Sequence, residues 1–370
     1  MRILITGGAG FIGSHLADHL LEHGYAVRVL DSLVPQVHPD RTRPDYLHPR
    51  VELVHGDVRD PAAVRLALTG ADAVVHFAAR VGVGQSMYEI AEYTGVNNVG
   101  TAVLLEALID RRVRRLVVAS SMSLYGEGLY REASGSFVTD AGRSPGQLRR
   151  GDWEPRGADG RPLVPVPTPE SKPPRLASVY ALSKFDQEQL ALIVGRTYDI
   201  PTVALRFFNV YGTRQALSNP YTGVLAIFAA RLLNRRPPLI FEDGAQQRDF
   251  VSVHDVVRAC RLALERPADD VAGRAFNIGS GVAHSVAEVA ELLAGALGVP
   301  LAPERTGRYR AGDIRHCFAD LAAARTGLGY EPQVSLDQGL VELADWLATQ
   351  APEDLVPAAS LELERRGLTA

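Results

Sequence analysis

The residues best suited to chemistry in this sequence are a tyrosine and a lysine four positions apart, Tyr180 and Lys184. They stand at the start of an apparent helix that runs to about Arg196. Residues four apart lie on one face of a helix, so the phenol and the ammonium can be held side by side. A fixed cation stabilises a phenolate, and lowering a tyrosine pKa from about 10 to about 7 takes roughly 4 kcal/mol. The pair can therefore act as a base, although the same spacing also occurs by chance on exposed helices.

These side chains need elements that place them beside a ligand, and the first such element is at the N-terminus. An apolar strand over residues 2–6 is followed by Gly7, Gly10 and Gly13 and by an amphipathic helix over residues 11–22. Glycines let the backbone approach a pyrophosphate, and the N-terminus of the helix presents unpaired N–H groups to it. The order of strand, glycine turn and helix therefore predicts a dinucleotide site.

An aspartate indicates which dinucleotide binds there. A second predicted strand, residues 25–30, ends in Asp31, the acid expected about 20 residues after the turn. Its carboxylate would accept hydrogen bonds from a ribose 2′-hydroxyl and repel a 2′-phosphate. The pattern predicts NAD rather than NADP, and the structural alternative is an ordinary turn with a capping aspartate.

The alternation of strands and helices continues beyond these elements. Apolar strands are predicted over residues 51–55, 73–77, 115–120 and 202–206, with helical segments between them. This order predicts an α/β fold with a doubly wound parallel sheet of the Rossmann type, whose ligand lies beyond the carboxyl ends of the strands. Side chains that follow the strand ends are Asp57, Val58, Phe77, Ala78, Ala79, Ser120, Ser121 and Ser123.

Composition excludes several other classes of protein. The 370 residues are 46% hydrophobic and 22% charged, which is typical of a soluble globular chain, and the net charge of −4 argues against wholesale nucleic-acid binding. No apolar run approaches the length of a membrane span, and no signal peptide precedes the first strand. Cys260 and Cys317 are too few and too far apart for a metal site or a disulfide framework. We expect both thiols to be buried packing residues in a cytoplasmic protein, with no metal.

With its glycine turn, its strand-end serines, Tyr180 and Lys184, the chain resembles the extended short-chain dehydrogenase/reductase superfamily over nearly its whole length. More narrowly, it resembles the NAD-dependent nucleotide-sugar epimerase/dehydratase branch. The resemblance implies that Ser121, Tyr180 and Lys184 are catalytic, whereas a serine that caps a strand end is the structural alternative for Ser121. The cofactor contacts that it implies are Gly7, Gly10, Phe11, Ile12, Gly13, Asp31, Asp57, Val58, Phe77, Ala78, Ala79, Asn97, Tyr180, Lys184 and Phe207.

The same resemblance implies a second, smaller domain for the nucleotide sugar. Arg248 and Arg310 correspond to arginines that clamp the diphosphate, and Asp313 corresponds to a residue that contacts the ribose. An arginine fork suits phosphate oxygens, although arginines without function also occur on surfaces. The full set of implied substrate contacts is Ser121, Ser123, Asn209, Phe241, Arg248, Arg310 and Asp313.

The predicted division of the chain follows from these assignments. Residues 1–206 form the NAD-binding domain, with helix 254–266 packing back on it, and residues 207–350 form a mixed α/β substrate domain. Residues 351–370 form a tail or a short extra helix. A Pro-, Gly- and Arg-rich insert of about residues 129–177 separates two catalytic segments, and we expect it to close over the sugar, to contact a partner subunit or to lie exposed to solvent.

Three reactions start from a 4-keto sugar in this family. Epimerisation returns the hydride to the other face of the sugar, a 4,6-dehydratase removes water with an Asp-Glu pair after the catalytic hydroxyl residue, and the enzymes that decarboxylate a uronate usually have a glutamate in that segment. A 4-ketoreductase, which consumes reduced cofactor, is a further alternative. Met122 and Ser123 occupy the Asp-Glu positions here, so we favour a 4-epimerase that acts on a UDP- or dTDP-hexose. A catalytically silent NAD-binding sensor is the alternative of a different class.

The resemblance also bears on partners and on substrate. Helices over residues 98–110 and 184–196 correspond to those that form a four-helix dimer interface in the family, which implies a homodimer. The insert and residues 217–224 resemble enzymes of the dTDP-L-rhamnose 4-epimerase type more than the short UDP-glucose 4-epimerases. The sequence specifies neither the sugar nor the nucleotide.

Overall fold

The fold is described from a computed structural model that covers residues 1–221, 223–310 and 312–369. Thr222, which belongs to the 217–224 segment, Ala311, which separates Arg310 from Gly312, and Ala370 lie outside the described residues. The largest element is a sheet of seven parallel strands, which confirms the predicted fold class. In spatial order the strands are Arg274–Ile278, Thr202–Phe207, Arg115–Ser121, Ala73–His76, Arg2–Thr6, Ala26–Asp31 and Glu52–His55.

The order of the strands reverses beside the first strand of the chain. Arg2–Thr6 pairs with Ala26–Asp31 on one side and with Ala73–His76 on the other. Ligands of doubly wound sheets bind at such a switch point, beyond the carboxyl ends of the strands. Thr6 and His76 are register partners there. The glycine turn that follows Thr6 and the Phe77 segment that follows His76 therefore flank the expected cofactor cleft.

Helices cover both faces of this sheet. Phe11–Glu22 and Val253–Glu265 pack on one face, together with buried side chains that include Ile3 and Ile5. Leu4 points to the opposite face, since successive side chains of a strand alternate. The helices on that second face are Pro61–Leu68, Gly100–Asp110 and Val179–Thr197.

One strand was assigned to the wrong region by the sequence. We predicted that residues 275–278 belong to the smaller region, but Arg274–Ile278 pairs in parallel with Thr202–Phe207 and extends the large sheet. The cause is the preceding helix, Val253–Glu265, whose packing against Phe11–Glu22 returns the chain to the large sheet. The break in the strand–helix alternation after residue 207 concealed this return.

The smaller region is built on a mixed sheet. Its central strand, Gln247–Ser252, pairs in parallel with Asn209–Tyr211 and His316–Cys317 and antiparallel with Ala283–Ser285. A separate pair of short parallel strands joins Leu239–Ile240 to Glu304–Arg305. The helices that form the second apolar core are Val224–Leu233, Val286–Ala296 and Leu336–Leu347.

The insert has a regular structure of its own. Leu129–Arg131 is the central strand of a three-stranded antiparallel sheet, flanked by Phe137–Val138 and Val164–Val166. A short helix, Pro145–Arg149, follows this sheet's second strand in the chain. The last secondary-structure element of the chain is the helix Val356–Arg365.

Three observations bear on the excluded classes. Cys260 and Cys317 are both buried and unpaired, which confirms the prediction that they are packing residues. Nowhere in the described ranges does a helix combine the length and the apolar composition that a membrane crossing needs. Among the same residues, no group of three or more His, Cys, Asp or Glu side chains is placed to hold a metal ion.

Candidate active site

Tyr180, the predicted catalytic tyrosine, lies in the first turn of the helix Val179–Thr197. The helix begins at Ser178, whose hydroxyl accepts a hydrogen bond from the Ala181 amide at 3.1 Å. The Tyr180 amide donates to the Ser86 hydroxyl at 3.0 Å, which fixes the start of the helix to a neighbouring segment. Caps of this kind typically stabilise a helix by about 1 kcal/mol. The position of the phenol is thus set by the local backbone.

The Ser121 hydroxyl lies beside the Tyr180 phenol, where hydrogen bonding between them acts on the pKa of the phenol. Ser121 is the last residue of the strand Arg115–Ser121 and accepts a hydrogen bond from the Ser123 hydroxyl at 2.8 Å. Its register partner on the adjacent strand is Phe207, a predicted cofactor contact. Strand and helix therefore bring together the two hydroxyls that the sequence placed 59 positions apart, at the carboxyl edge of the sheet.

Burial sets the protonation properties of this pair. It raises the pKa of the Tyr180 phenol above its ordinary value, while the hydrogen bond with Ser121 acts to lower it. Burial also lowers the pKa of the Lys184 ammonium to about 7, against an opposing influence of Glu188. The predicted lowering of the Tyr180 pKa by Lys184 is not seen, because the ammonium donates at 2.7 Å to the Gln187 side-chain oxygen and burial dominates at the phenol.

Lys184 belongs to a buried network that the sequence analysis missed. The Gln187 amide donates to the Thr101 hydroxyl at 2.8 Å and lies 3.3 Å from the His76 Nε2 atom. His76 contacts the Thr6 hydroxyl through Nδ1 at 2.7 Å, and burial followed by the Lys184 charge lowers its pKa to about 3. The neutral side chains of Gln187 and His76 therefore link the Lys184 ammonium to Thr6, the residue that precedes the glycine turn. Gln187 is three residues after Lys184, and this spacing was the one available signal.

The glycine turn has the close contacts expected of a dinucleotide cradle. A Cβ atom at Gly7, whose φ is +69°, would lie 2.8 Å from the Ala78 nitrogen, and one at Gly13 would lie 2.5 Å from the Gly8 Cα atom. Gly10 is the N-cap of the helix Phe11–Glu22 and provides no side-chain hydrogen bond to its first turn, which contains no acidic residue. The N–H groups there are thus open to an anion.

Asp31 completes the cofactor cradle. Its two oxygens each accept one backbone hydrogen bond at 2.9 Å, from the Ala9 and Leu33 amides. A carboxylate oxygen can accept more than one hydrogen bond, so both retain capacity for ribose hydroxyls. These residues therefore fit NAD as the sequence predicts.

Several other predicted cofactor contacts are held in different ways. Asn97 is fully buried in a short π-helix, Thr94–Val99, where its side chain bonds the Arg80 backbone at 2.7 and 3.1 Å and the Ser183 hydroxyl at 2.9 Å. It thus ties the segment after Phe77, Ala78 and Ala79 to the Tyr180 helix. Asp57 forms an ion pair with Arg59 at 2.7 Å, and the Val58 side chain is packed in the core. Phe77 contacts Phe207 edge to face, with 5.9 Å between ring centroids.

Five of the predicted nucleotide-sugar contacts, all except Ser121 and Ser123, lie in the smaller region. The Arg310 guanidinium lies over the Phe241 ring, 4.7 Å from its centroid, and forms an ion pair with Asp313 at 3.1 Å. Arg248 approaches the other Asp313 oxygen to 3.7 Å. Burial acts to raise the pKa of Asp313, but Arg310, Arg248 and Arg143 outweigh it and the pKa is lowered. The buried side-chain oxygen of Asn209 has no partner among the described residues, which leaves capacity for a ligand.

A second network behind these contacts was also missed. Arg315 has 1% of its side chain exposed and pairs with Glu154 and with Glu242, the latter at 3.0 Å. Arg143 pairs with Glu242 at 2.6 Å and donates to the Asp313 carbonyl at 2.8 Å. The backbone of Glu242, which directly follows Phe241, has a φ of +55°, a value that residues other than glycine rarely adopt. Its partners are 73 and 99 positions away, so no local pattern could have indicated this network.

The insert supplies part of this network. Arg143 and Glu154 are residues of the insert, and the ring of its Trp153 lies 6.4 Å from the ring of Tyr309. The Thr168 amide donates to the Phe318 carbonyl at 2.8 Å, which fixes the far end of the insert to the smaller region. The expectation of a wholly solvent-exposed insert is wrong, because these polar partners draw it against the residues predicted to bind the nucleotide.

Comparison with known proteins places this geometry in context. The model of the NAD dependent epimerase/dehydratase family matches residues 3–144 and 157–279, so the match leaves out residues 145–156 of the insert. The dTDP-L-rhamnose 4-epimerase of Burkholderia thailandensis is 36% identical over 353 residues, which are 94% of this chain and 95% of that protein.

Solved structures agree with this match. UDP-glucose 4-epimerase of Thermotoga maritima, in a structure with UDP-glucose, is 31% identical with a TM-score of 0.76, covering 94% of this chain and 99% of that one. UDP-glucose 4-epimerase of Thermus thermophilus, in a complex with NAD, is 30% identical with a TM-score of 0.74, covering 95% and 100%. The likeness therefore extends over both the large sheet and the smaller region.

Proposed function

Because the chain belongs to the NAD-dependent epimerase/dehydratase family, we propose that it is a nucleotide-sugar 4-epimerase, which inverts carbon 4 of a dTDP- or UDP-hexose through a 4-keto intermediate. The family, the fold class and the dependence on NAD agree with the predictions from the sequence. The observation that carries the proposal is the placement of the Ser121 hydroxyl beside the Tyr180 phenol at the cofactor edge of the sheet. The next residues, Met122 and Ser123, provide no carboxylate for dehydration.

The chemistry assigned to this chain is proton transfer at the Tyr180 oxygen. The phenolate takes the proton of the sugar 4-hydroxyl and later returns it to the same oxygen, while the Ser121 hydroxyl holds both oxygens by hydrogen bonds. NAD, when bound in the cleft, would supply reversible hydride transfer at carbon 4, so no cofactor would be consumed. Return of the hydride to the opposite face of the sugar produces the epimer.

Positive charge is needed to form the phenolate, since burial raises the pKa of Tyr180. Lys184 supplies it from the same face of the helix. Its ammonium has three donors, of which one binds Gln187, so two remain for the phenol and for ribose hydroxyls. Asn97 keeps the Tyr180 helix against the segment that borders the cofactor cleft.

We place the nucleotide against Phe241, Arg310, Asp313, Arg248 and Asn209. The Phe241 ring offers an apolar face to a base, the two arginines offer forked donors to a diphosphate, and Asp313 offers an acceptor to a ribose. Similarity to the Burkholderia thailandensis enzyme favours dTDP-L-rhamnose as the first substrate to try. UDP-glucose is the second, on the basis of the solved structures.

The reaction is tested by offering a panel of dTDP- and UDP-hexoses to the purified protein without added cofactor. We expect interconversion of the C4 epimers of at least one nucleotide sugar, with no net formation of reduced nicotinamide. A stoichiometric need for reduced cofactor would identify a ketoreductase, and a 4-keto-6-deoxy product would identify a dehydratase. Binding of NAD with no conversion of any sugar would support the sensor class and refute the epimerase.

We propose that the insert braces the nucleotide site rather than acting as an exposed loop. Arg143 supports this proposal through its bonds to the Asp313 carbonyl and to Glu242. A deletion of residues 145–156, which carry Trp153 and Glu154, is expected to raise the KM for the nucleotide sugar. Unchanged turnover, affinity and assembly after this deletion would reject the role.

We also propose a homodimer formed by the helices Gly100–Asp110 and Val179–Thr197. Leu182 and Ile193 leave 46% and 50% of their surfaces exposed on the second helix, although both are apolar. Leu182→Glu is expected to yield monomers in light scattering, whereas Val341→Glu, at an exposed apolar residue of another helix, is not. A monomeric parent protein would refute this assembly.

We retain a cytoplasmic location as a proposal. The support is the pair of buried, unpaired cysteines, since oxidising compartments favour disulfides. Cell fractionation of the tagged full chain tests it, and recovery outside the cytoplasmic fraction would refute it.

A further inference from the structure

The last residues of the chain fold back over the cleft between the two halves of the molecule. We call residues 351–369 the C-terminal clasp. Its main element is the helix Val356–Arg365, and the described chain ends just beyond it at Thr369. The contacts of the clasp reach three separate parts of the molecule, which a free tail would not do.

The clasp begins on the smaller region. The Asp354 carboxylate has 3% of its surface exposed and pairs with Arg231 at 3.4 Å and with Arg236 at 3.0 Å. The Asn234 amide donates to the Pro352 carbonyl at 2.9 Å. These partners lie on or directly after the helix Val224–Leu233, so the start of the clasp is fixed to the substrate side.

The helix of the clasp then reaches the cofactor side. Leu363 is 6% exposed, and a methyl group at Gly84 would lie 3.2 Å from its Cδ2 atom. The Arg366 guanidinium lies over the Tyr88 ring, 4.1 Å from its centroid. Gly84 and Tyr88 flank Ser86, whose hydroxyl holds the Tyr180 amide. The clasp thus packs on the segment that fixes the start of the catalytic helix.

The end of the clasp contacts the nucleotide site itself. Thr369 forms an antiparallel backbone bridge with Arg310, whose guanidinium covers the Phe241 ring. Arg308 pairs with Glu364 at 3.1 Å and donates to the Thr369 hydroxyl at 3.4 Å. The clasp therefore holds the residues on both sides of Tyr309, Arg308 through its side chain and Arg310 through its backbone.

From these contacts we propose that the C-terminal clasp is a substrate-positioning element, which fixes Arg310 over the nucleoside diphosphate and joins it across the cleft to the segment of residues 83–88. The proposal rests on the proposed function, because it takes the nucleotide to lie against Phe241 and Arg310. The clasp touches neither the hydride-accepting site nor the sugar hydroxyl in this scheme. Its loss should therefore weaken nucleotide binding far more than it slows the chemical step.

Two leucines of the same helix provide a matched pair of variants. Leu363 is buried against Gly84, whereas Leu361 leaves 48% of its surface exposed. Leu363→Asp should undock the helix, Leu363→Met should keep it docked, and Leu361→Asp should leave it in place. Arg366→Ala removes the Tyr88 contact without placing a charge in the interior, in case Leu363→Asp does not fold.

The measurements are the affinities for dTDP and UDP by calorimetry, with KM and kcat for the nucleotide sugar that the parent enzyme converts. Leu363→Asp is expected to weaken affinity and raise KM by about 10-fold, with kcat within about 2-fold of the parent, a split that identifies lost binding rather than lost chemistry. The amount of bound NAD should stay at the parent value. Arg366→Ala should show the same pattern at a smaller size.

Affinity and KM that stay at the parent values in Leu363→Asp and Arg366→Ala, or that change equally in Leu361→Asp, would overturn the proposal. Failure of the proposed function looks different. A parent protein that binds dTDP or UDP but converts no nucleotide sugar would refute the epimerase, and the affinities of the variants would still decide the role of the clasp. A parent that binds neither nucleotide would refute both.

Discussion

The cofactor half and the nucleotide half of the molecule hold their functional side chains by different physical means. The hydrogen-bonded network around Lys184 is neutral and consists of Gln187, Thr101 and His76, with its first member three residues away in the sequence, although the buried Glu188 carboxylate also acts on the Lys184 pKa. Behind Asp313 the partners are charged, and they come from the insert and from the 242–243 turn. Neutral partners allow the Lys184 ammonium to exchange hydrogen bonds at little electrostatic cost. Buried ion pairs cannot be separated without leaving an uncompensated charge, so they hold the residues around Asp313 in one arrangement.

We expect the largest effect on activity from a substitution of Tyr180 in the cofactor half. Tyr180→Phe removes the oxygen that carries the proton but keeps the ring that contacts Tyr93. We expect turnover to fall by about 10²–10⁴-fold, the range for loss of a positioned acid–base group. Steady-state conversion of the substrate identified in the panel measures this, with NAD content and thermal stability as controls. Turnover at the parent rate would disprove the assigned proton transfer.

Arg315 tests the charged half. Arg315→Met removes the shared partner of Glu242, Asp243 and Glu154 from a position that is 1% exposed. Loss of one member of a buried ion pair typically costs about 3–5 kcal/mol, since the remaining charge stays uncompensated. Urea unfolding should show this loss. Arg325→Met, which breaks a surface pair with Glu331 that is 52% and 61% exposed, should cost at most about 1 kcal/mol.

Equal losses of unfolding free energy in these two variants would mean that the buried ion pairs behind Asp313 contribute no more to stability than a surface ion pair. The two halves of the molecule would then not differ in the way described above.

Asp31 sharpens the account of the cofactor half. Asp31→Asn replaces an acceptor of two backbone hydrogen bonds by an amide that can accept only one of them. We expect the affinity for NAD to fall by about 10–100-fold, because one buried N–H group also loses its partner. Titration of the protein stripped of cofactor measures this. Glu52→Gln, at the opposite end of the neighbouring strand, should keep the parent affinity, and a similar loss there would argue against a specific role for Asp31.

Gln187 offers the finest test of the neutral network. Gln187→Leu removes the acceptor of the Lys184 ammonium, so the Lys184 pKa of about 7 should fall further. In the proposed mechanism the protonated lysine is the active form. The fall of kcat/KM at high pH should therefore begin at a lower pH, and kcat/KM on this basic limb of the pH profile should be about 10-fold lower than in the parent. Gln187→Glu adds a negative charge beside the ammonium and should move the limb to higher pH.

A purely structural role of Gln187 predicts another outcome. Both variants would then lose activity without any displacement of the limb. The opposite displacements in the two variants are the signature of a group that positions and charges Lys184.

The accuracy of the predictions from the sequence also differs between the two halves of the molecule. The strand Arg2–Thr6, the helix Phe11–Glu22 and the catalytic helix were predicted to within about a residue, because their signals are local: apolar period, glycine spacing and caps. Phe241, Arg310 and Asp313 were brought together by family resemblance, and the structure places them in contact.

The remainder could not be read from local patterns. Arg315 lies 161 positions from Glu154, and no periodicity relates the two. The pairing of Arg274–Ile278 with Thr202–Phe207 was missed for a related reason, since some 70 residues of a different architecture intervene. The bonding of Lys184 to Gln187 instead of Tyr180 depends on rotamers within a packed interior, which helix spacing alone does not determine.

The late arrival of Arg274–Ile278 has a consequence for biosynthesis. Until residue 278 has left the ribosome, the strand Thr202–Phe207 has one unpaired edge, with its N–H and C=O groups available to other chains. A recombinant fragment cut at Arg206 would keep this exposure permanently and should aggregate. The N-terminal residues therefore depend on a strand that is synthesised much later in the chain to cover this edge of the large sheet.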